Sequence, residues 1–233
     1  MTEMQTDLGF YISLVWLFVI IITLLLLVVC YLFLAMRSSI ERESRSLAFS
    51  HLVIEGIETE RRRISRELHD TVLPLVKNSE VSNIVRSICL DLMPPDFTRL
   101  SLSDSLAQFC DQFTIRTGIK CACSIEEKLD FTFMSAENQL HIYRMVQESF
   151  TNIEKHSKAK RAFLVIRYIP QGDKNNILLC VSDEGIGLKN LPFENEGFGM
   201  RSIRQRAVII GAKLDFISES GNGLTVRLEI SNV

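Results

Sequence analysis

Residues 60–70 read Glu-Arg-Arg-Arg-Ile-Ser-Arg-Glu-Leu-His-Asp, so one histidine, His69, stands directly before an acid, Asp70. Around this stretch apolar residues recur every seven positions, at 40, 47, 54, 68 and 75, with Arg61 as the interruption and isoleucines at 57 and 64. A heptad pattern of this kind predicts a continuous helix that pairs with a second copy in a parallel dimer. Leu68 would lie at the seam, and His69 would lie on its exposed flank.

An uncharged apolar run covers residues 8–36, with two acidic residues before it and three arginines within nine positions after it. Because a bilayer requires about 20 apolar residues, the run predicts one transmembrane helix. A cleaved signal peptide would have a shorter apolar core behind a basic segment. The arginines predict a cytoplasmic C-terminal part and an outside N-terminus. Residues 1–7 leave no room for an extracytoplasmic sensor domain, so a signal would arrive through the membrane helix, a membrane partner or the cytoplasm.

Charge and cysteine content limit the classes of function. The formal net charge of −2 does not favour direct binding of nucleic acid. None of the six cysteines forms a C-x-x-C pair, and in a reducing compartment we expect no disulfide. Cys121 and Cys123 are interpreted as one face of a strand, with a metal or redox pair as the alternative.

Alternating helices and strands are predicted after His69. A second helix carries an apolar face and stops before Pro94 and Pro95, because proline lacks the helix donor and restricts its predecessor. The elements predicted beyond it are a helix over 103–117, a strand over 119–125, a helix capped by Ser135 and running to 154, strands over 162–168 and 177–182, a helix over 200–210, and a hairpin of 214–218 and 224–230 that turns at 221–223.

Residues 147–156 read Gln-Glu-Ser-Phe-Thr-Asn-Ile-Glu-Lys-His on the long helix. Arg144, Glu148, Asn152 and Lys155 recur at three- and four-residue spacing and therefore share one face. A solvated charged stripe is the simplest interpretation, but other positions of this helix already supply an apolar core face. An amide oxygen one turn before a lysine suits Mg²⁺ and phosphate, since the cation prefers oxygen ligands and the ammonium neutralises phosphate charge.

Two glycine-containing blocks follow. Residues 180–187 read Cys-Val-Ser-Asp-Glu-Gly-Ile-Gly, an apolar strand that runs into an acid and two glycines. The carboxylate can accept a hydrogen bond from an exocyclic amine, and glycines allow a flat ring to approach the backbone. Residues 197–199 read Gly-Phe-Gly before a predicted helix N-terminus, where free backbone N–H groups can bind an anion.

These four blocks, in this order, resemble the sensor histidine kinases of the NarX/DegS/DesK type over about residues 58–231. The resemblance implies an α+β chain: one transmembrane helix, a helical dimerisation hairpin, and a Bergerat (GHKL-type) α/β sandwich with a mixed sheet and helices on one face. The implied domains are a tail over 1–7, a transmembrane helix over 8–36, a coiled-coil linker over 37–59, a phosphotransfer hairpin over 60–95 and an ATP-binding domain over 100–233.

The resemblance also implies roles for individual residues. His69 would be the phosphate acceptor, Asp70 would orient it, and Glu148 would hold the acidic position before Asn152. Asn152 would coordinate Mg²⁺, and Asp183 would bind the adenine amine of ATP. The remaining cofactor-binding residues would be Lys155 and His156 near the phosphates, Gly185 and Gly187 beside the base, and Gly197 and Gly199 as the hinge of a lid over 189–196.

The function implied is that of a homodimeric kinase in the bacterial cytoplasmic membrane, which autophosphorylates His69 and passes the phosphoryl group to a response regulator of the NarL/LuxR type. The chain departs from the family in three places. Pro74 replaces a glutamine that positions water for dephosphorylation, 25 positions from His69 to Pro94 make a short hairpin, and Leu224 replaces a threonine. The alternatives are an ATP-binding pseudokinase or scaffold and a GHKL-type ATPase or serine kinase.

Overall fold

The computed structural model of the chain describes the backbone of residues 2–171, 174–188, 197–218 and 221–231. Side chains are described in the same ranges apart from residues 2–15, 19, 39–47, 79, 171 and 174–175. The lid expected over 189–196 lies outside the described residues. The chain divides into two compact units, one up to Val53 and the other from Ile54 onward.

The first helix, α1, spans Thr2–Glu67 and is continuous over 66 residues, as the heptad pattern predicts. Its segment Trp16–Ser38 has a mean hydropathy of 3.3 and is long and apolar enough to cross a membrane. Side chains in this segment are exposed in the single chain, as a lipid-facing helix requires. One candidate span, overlapping the predicted run, is therefore present in the part of the chain that the structure describes.

Regular α-helix ends at Glu67 rather than at Leu73, where Pro74 alone would place the bend. Leu68–Val72 form one turn of π-helix and Leu73–Leu75 one turn of 3₁₀-helix. The backbone N–H of Leu73 donates to the carbonyl of Leu68, five residues back, so the widened turn precedes the proline that cannot donate. His69 and Asp70 lie in this turn.

The hairpin is completed by α2, which spans Ser79–Leu92. The Asn78 side chain caps it by accepting from the backbone N–H groups of Glu80 and Val81. Met93 is extended before the two prolines, so the predicted stop is confirmed. The two helices of the hairpin contact each other where the Ser65 hydroxyl donates to the Cys89 carbonyl at 3.0 Å.

A five-stranded mixed sheet forms the C-terminal domain, in the order β1-β2-β3-β5-β4. Only β1 and β2 pair in parallel, and the other three pairs are antiparallel. The strands are β1 Lys120–Ile125, β2 Arg161–Gln171, β3 Lys174–Asp183, β4 Lys213–Ser218 and β5 Leu224–Ile230. The hairpin of β4 and β5 turns at the predicted glycines.

Three helices cover one face of this sheet: α3 Leu102–Thr117, α4 Ala136–Asn152 and α5 Phe198–Ile209. Ser135 caps α4 by accepting from the Asn138 N–H, as predicted. Between α3 and α4 the rings of Phe109 and Phe113 each pack edge to face on Phe150, and alternate residues of β2 and β3 close the core beneath. The predicted α+β sandwich, with a mixed sheet and helices on one face, is confirmed.

One position of the predicted dimer seam, Ile54, is covered by its own chain instead of by a second copy. Ile54 is buried to 2% exposure within the single chain, and Glu58, one turn later, is buried to 6%. A side chain that is already covered by its own chain cannot lie in a seam with a second copy. At this level α1 therefore presents its heptad face to the rest of its own chain.

Candidate nucleotide-binding site

A cavity of about 420 Å³ opens between the end of α4, the start of α5 and the carboxyl end of β3. Its volume lies within the range of small-molecule sites. The polar residues that line it are Glu148, Ser149, Asn152, Lys155, His156, Ser157 and Asp183. Eight of the eleven residues predicted to serve catalysis or cofactor binding line this cavity; Gly185, His69 and Asp70 do not.

The polar wall of the cavity comes from α4 and the turn that follows it. Glu148 and Asn152 lie one helical turn apart, and the chain then continues through a turn of π-helix, Ile153–Ser157, which carries Lys155 and His156. The widened turn ends at Lys158, whose φ of 56° is left-handed. Side chains with oxygen atoms are thus followed within one turn by two basic side chains, a combination that suits Mg²⁺ together with a polyphosphate.

Asp183 stands at the opposite wall, at the last position of β3. Its Oδ1 accepts from the backbone N–H of Gly185 at 2.7 Å, and its Oδ2 accepts from that of Leu224 at 3.2 Å. Burial raises the pKa of this carboxyl above its ordinary value, while the two backbone hydrogen bonds act in the opposite direction. The carboxylate is fixed in direction and retains lone pairs for a donor such as an exocyclic amine.

The loop after β3 is fixed by its neighbours on both sides. The Ile186 N–H donates to the Ser157 carbonyl at 2.9 Å, and the Gly221 N–H donates to the Ile186 carbonyl at 3.0 Å. Gly185 does not line the cavity but lies directly beneath it. A Cβ at this position would meet the Ser157 oxygen at 2.2 Å, so glycine is required for the close approach of the loop to the π-turn.

Gly223, in the hairpin turn, was given no site role from the sequence, yet it lies directly against the backbone of Asp183. Its φ is 76°, and a Cβ there would lie 1.9 Å from the Asp183 carbonyl oxygen. Leu224 lines the cavity and donates its N–H to Asp183, whereas Thr225 is absent from the lining. The backbone of Leu224 therefore holds Asp183 by a hydrogen bond that does not depend on the side chain at position 224.

Gly199 in the first turn of α5 packs directly on the polar residues of α4. A Cβ at Gly199 would lie 2.2 Å from Glu148 Oε1 and 3.3 Å from Asn152 Oδ1, whereas a Cβ at Gly197 would meet no atom within 4 Å. We predict that Gly199→Ala displaces Glu148 and lowers the rate of ATP-dependent phosphorylation at least about tenfold, a loss of about 1.4 kcal/mol of transition-state stabilisation. Gly197→Ala is the matched control with a smaller effect. Equal rates for the two variants would contradict a role of this contact.

The raised pKa of Asp183 predicts an acid limit to nucleotide binding. The ionised carboxylate accepts from an amine, and protonation removes that acceptor, so affinity for ADP should fall as the pH drops through the raised pKa, above the range of an ordinary aspartate. Asp183→Asn should bind ADP about 10- to 100-fold more weakly near neutral pH, the value of a charge-assisted hydrogen bond. Calorimetric titrations over a pH series that begins below the ordinary pKa of an aspartate and extends to neutral pH measure both, and parallel pH curves for parent and variant would contradict the assignment.

Arg144 does not join the cavity, although it shares the face of α4 with Glu148 and Asn152. Its side chain is 2% exposed and forms an ion pair with Glu58 of α1 at 3.0 Å. Arg144 does share this face of α4, as its helical spacing predicts, but the cavity extends only as far as Glu148, one turn after Arg144. This face of α4 therefore contacts a nucleotide site at one end and α1 at the other.

His69 and Asp70 lie outside the cavity, in the π-turn after α1. His69 Nδ1 lies 3.0 Å from Asp70 Oδ1, and the two side chains are 68% and 74% exposed. With Nδ1 donating to the carboxylate, the imidazole presents Nε2 with its lone pair. The imidazole ring is thus held by one partner and accessible to solvent.

Apolar lining residues were missed from the sequence. Val181 and Val226 pair across β3 and β5 and form the floor of the cavity, and Ile203, Phe216 and Leu188 extend it. Their alternation predicts strands and a core but does not separate a core position from the floor of a binding site. Phe198, 76% exposed at the cavity mouth, falls in a glycine block where only the glycines were assigned.

The family model that describes histidine kinase-, DNA gyrase B- and HSP90-like ATPases matches residues 137–232. The cavity lies wholly within that range, so this part of the chain is similar to the ATP-binding domains that the model describes, as the resemblance implied.

Curated relatives extend the similarity to the hairpin. The sensor histidine kinase LiaS of Bacillus subtilis is 28% identical over 205 residues, covering 75% of this chain and 54% of the relative. The sensor histidine kinase MctS of Rhizobium johnstonii is 29% identical over 224 residues, covering 80% and 46%. The oxygen sensor histidine kinase NreB of Staphylococcus carnosus is 25% identical over 208 residues, covering 76% and 58%. The chain spans about half the length of these relatives, and its resemblance to sensor histidine kinases is confirmed.

Proposed function

We propose that this chain, a relative of sensor histidine kinases, is a membrane-anchored histidine kinase that autophosphorylates His69 from ATP and passes the phosphoryl group to an aspartate of a response regulator. The observation that carries the proposal is the combination, in one chain, of an ATP-binding domain with an exposed and oriented His69–Asp70 pair. A structural histidine would be expected to have its ring buried or held by more than one partner.

The proposed reaction uses the Nε2 lone pair of His69. This nitrogen forms a bond to the γ-phosphorus of ATP while the bond to the β–γ bridging oxygen breaks and ADP leaves. The Nδ1 proton is held by Asp70, which orients the ring and stabilises the positive charge that the imidazole gains. On the nucleotide side Asn152 would hold Mg²⁺, Glu148 would supply the catalytic acidic group one turn before it, and Lys155 and His156 would lie near the phosphates. Mg²⁺ would neutralise phosphate charge during transfer.

A homodimer is the proposed assembly. In the single chain α2 leaves Val81, Ile84 and Ile88 between 44% and 55% exposed, a row of apolar side chains on one helix face. Exposed apolar rows of this kind are typical of an interface. The arginines after the apolar segment of α1 support a cytoplasmic catalytic part and an N-terminus outside the bacterial cytoplasmic membrane. A membrane partner is a proposed source of the signal.

The response regulator, proposed to be of the NarL/LuxR type, would receive the phosphoryl group from His69. Pro74 stands where the family uses glutamine to position a water, and proline offers no amide donor or acceptor in its side chain. We therefore expect the chain to phosphorylate its regulator without dephosphorylating it.

A second candidate function is that of an ATP-binding scaffold that regulates another kinase. The observation that favours it is the short hairpin: α2 has only 14 residues, a length of about 21 Å. A shorter hairpin leaves less surface for a regulator to dock beside His69. A GHKL-type ATPase or serine kinase would have no use for the helix that bears His69.

The deciding experiment supplies γ-labelled ATP and Mg²⁺ to the full chain in lipid nanodiscs and tests the chemical stability of the bound label. Phosphate on histidine is lost in acid and retained in alkali, and this result supports the kinase proposal. Label that survives acid indicates serine phosphorylation. Nucleotide binding without label on the protein, even with an added response regulator, indicates the scaffold.

A further inference from the structure

A buried carboxylate joins α1 to the ATP-binding domain. Glu58 Oε2 accepts from Arg144 Nε at 3.0 Å, and Glu58 Oε1 accepts from a terminal nitrogen of Arg206 at 2.7 Å. The three residues are 6%, 2% and 3% exposed, and we refer to them as the Glu58 cluster. Charged side chains are almost never this buried unless they are paired, so the contact is specific.

Other bonds to the two arginines widen the contact. Arg144 also donates to the carbonyls of Asp91 and Leu92, at the end of α2, and Arg206 lies 3.1 Å from His141 Nδ1. Burial lowers the pKa of both arginines, and the carboxylate of Glu58 opposes that shift in each case. The cluster therefore depends on Glu58, because one carboxylate compensates two buried cations.

The position of the cluster relative to His69 is informative. His69 lies eleven positions after Glu58. In α-helical geometry this offset is about three turns, or about 16 Å, with a residual rotation of about 20°. The two residues thus lie on nearly the same side of the helix. Yet His69 stays 68% exposed, and among the described residues none from α1 or its π-turn lines the nucleotide cavity. The domain is docked on α1 about three turns short of the phosphate acceptor.

We propose that the Glu58 cluster is an autoinhibitory contact, which holds the ATP-binding domain on α1 in a position from which the nucleotide cannot reach His69 of the same chain. The inference rests on the proposed kinase function. Transfer within a chain would require the domain to separate from Glu58 and to move toward His69. Arg144 and Arg206 would then pair with other groups or become hydrated. Since α5 carries Gly199 at the cavity and Arg206 at the cluster, the same helix takes part in both positions.

Replacing Glu58 should open the contact rather than unfold the domain. Without the carboxylate two guanidinium groups would be buried beside each other, and separation from α1 lets water reach both. The core of aromatic and aliphatic side chains between α3, α4 and the sheet does not include Glu58. Glu58→Gln conserves shape and removes the charge, and Glu55→Gln, at an exposed position one turn earlier on α1, is the matched control.

The test combines two measurements on the full chain in nanodiscs. Amide hydrogen exchange of residues 54–65 and 91–92 reports the contact itself, and the initial rate of His69 labelling by ATP reports its inhibitory effect. For Glu58→Gln we expect faster exchange in these segments and labelling at least about tenfold faster, the lower range for loss of hydrogen bonds to a charged group. Glu55→Gln should match the parent in both.

Each other result is decisive. Unchanged exchange in Glu58→Gln overturns the contact, and unchanged or slower labelling overturns its inhibitory role; slower labelling would mean that the docked position is the productive one, as in transfer to a partner chain. Binding of ADP, measured on the same samples, verifies that the domain is folded. If the parent and both variants bind ADP without taking up label, the proposed kinase function fails and the inhibitory role with it, while the exchange data still report the contact.

Discussion

His69→Gln is expected to abolish incorporation of phosphate from ATP into the chain. Glutamine has no nucleophilic nitrogen, because its amide lone pair is delocalised, whereas the imidazole presents Nε2 once Asp70 holds Nδ1. Nucleotide binding should be unchanged, since His69 does not line the cavity. Scintillation counting of the labelled protein, with calorimetric titration of ADP on the same sample, measures both properties.

His51, in the helix α1 that precedes the π-turn of His69, supplies the control. His51→Gln should retain the parent's labelling, because residue 51 lies in α1 well before the π-turn. Asp70→Asn should bind ADP normally but label about 10²- to 10⁴-fold more slowly, the usual range for loss of a positioned proton acceptor. Full labelling of His69→Gln would move the acceptor to another residue and contradict the proposed reaction.

Asn152→Ala is expected to cause the second large loss, of metal-dependent nucleotide binding and of labelling together. The side chain of Asn152 lies at the cavity between Glu148 and Lys155, and alanine removes the amide oxygen that is proposed to hold Mg²⁺. We expect at least about 100-fold slower labelling, as typical for loss of a residue that holds a catalytic metal. The Mg²⁺-dependent part of ADP affinity should disappear in the same variant.

Asn152→Asp tests the chemistry of this position. Aspartate keeps an oxygen at the same distance from the backbone, so the variant should retain much more of the Mg²⁺ dependence than Asn152→Ala does. If both variants match the parent in their affinity for ADP, both with Mg²⁺ and with EDTA, Asn152 has no part in metal binding.

Much of the fold could be predicted from local patterns. The proline pair fixed the end of α2, Ser135 fixed the start of α4, and the glycines at 221–223 fixed the last hairpin. The strands β2 and β3 are longer than the predicted ranges 162–168 and 177–182, and β2 includes Pro170. Pairing with β1 stops at Ile166, so the side of β2 on which Pro170 lacks a donor has no partner strand.

The residues of the candidate site also differ in how far the sequence predicts them. Side chains with a chemical signature, such as Asn152 and Asp183, were predicted and line the cavity. Glu58 was not singled out, because a glutamate in a charged helix gives no sign that it is buried; only packing against α4 and α5 makes it so. The site role of Gly223 depends on an approach to Asp183 across 40 residues of sequence, which no local pattern encodes.

The number of residues in the π-helical turns Leu68–Val72 and Ile153–Ser157 is itself expected to determine activity. Each turn contains one residue more than an α-helix would need, and each carries side chains of the proposed chemistry. Deleting one residue from such a turn should rotate the following side chains by about 100° about the helix axis relative to the residues before the turn. The number of residues in each turn is thus as much a part of the proposed site as the side chains that the turn carries.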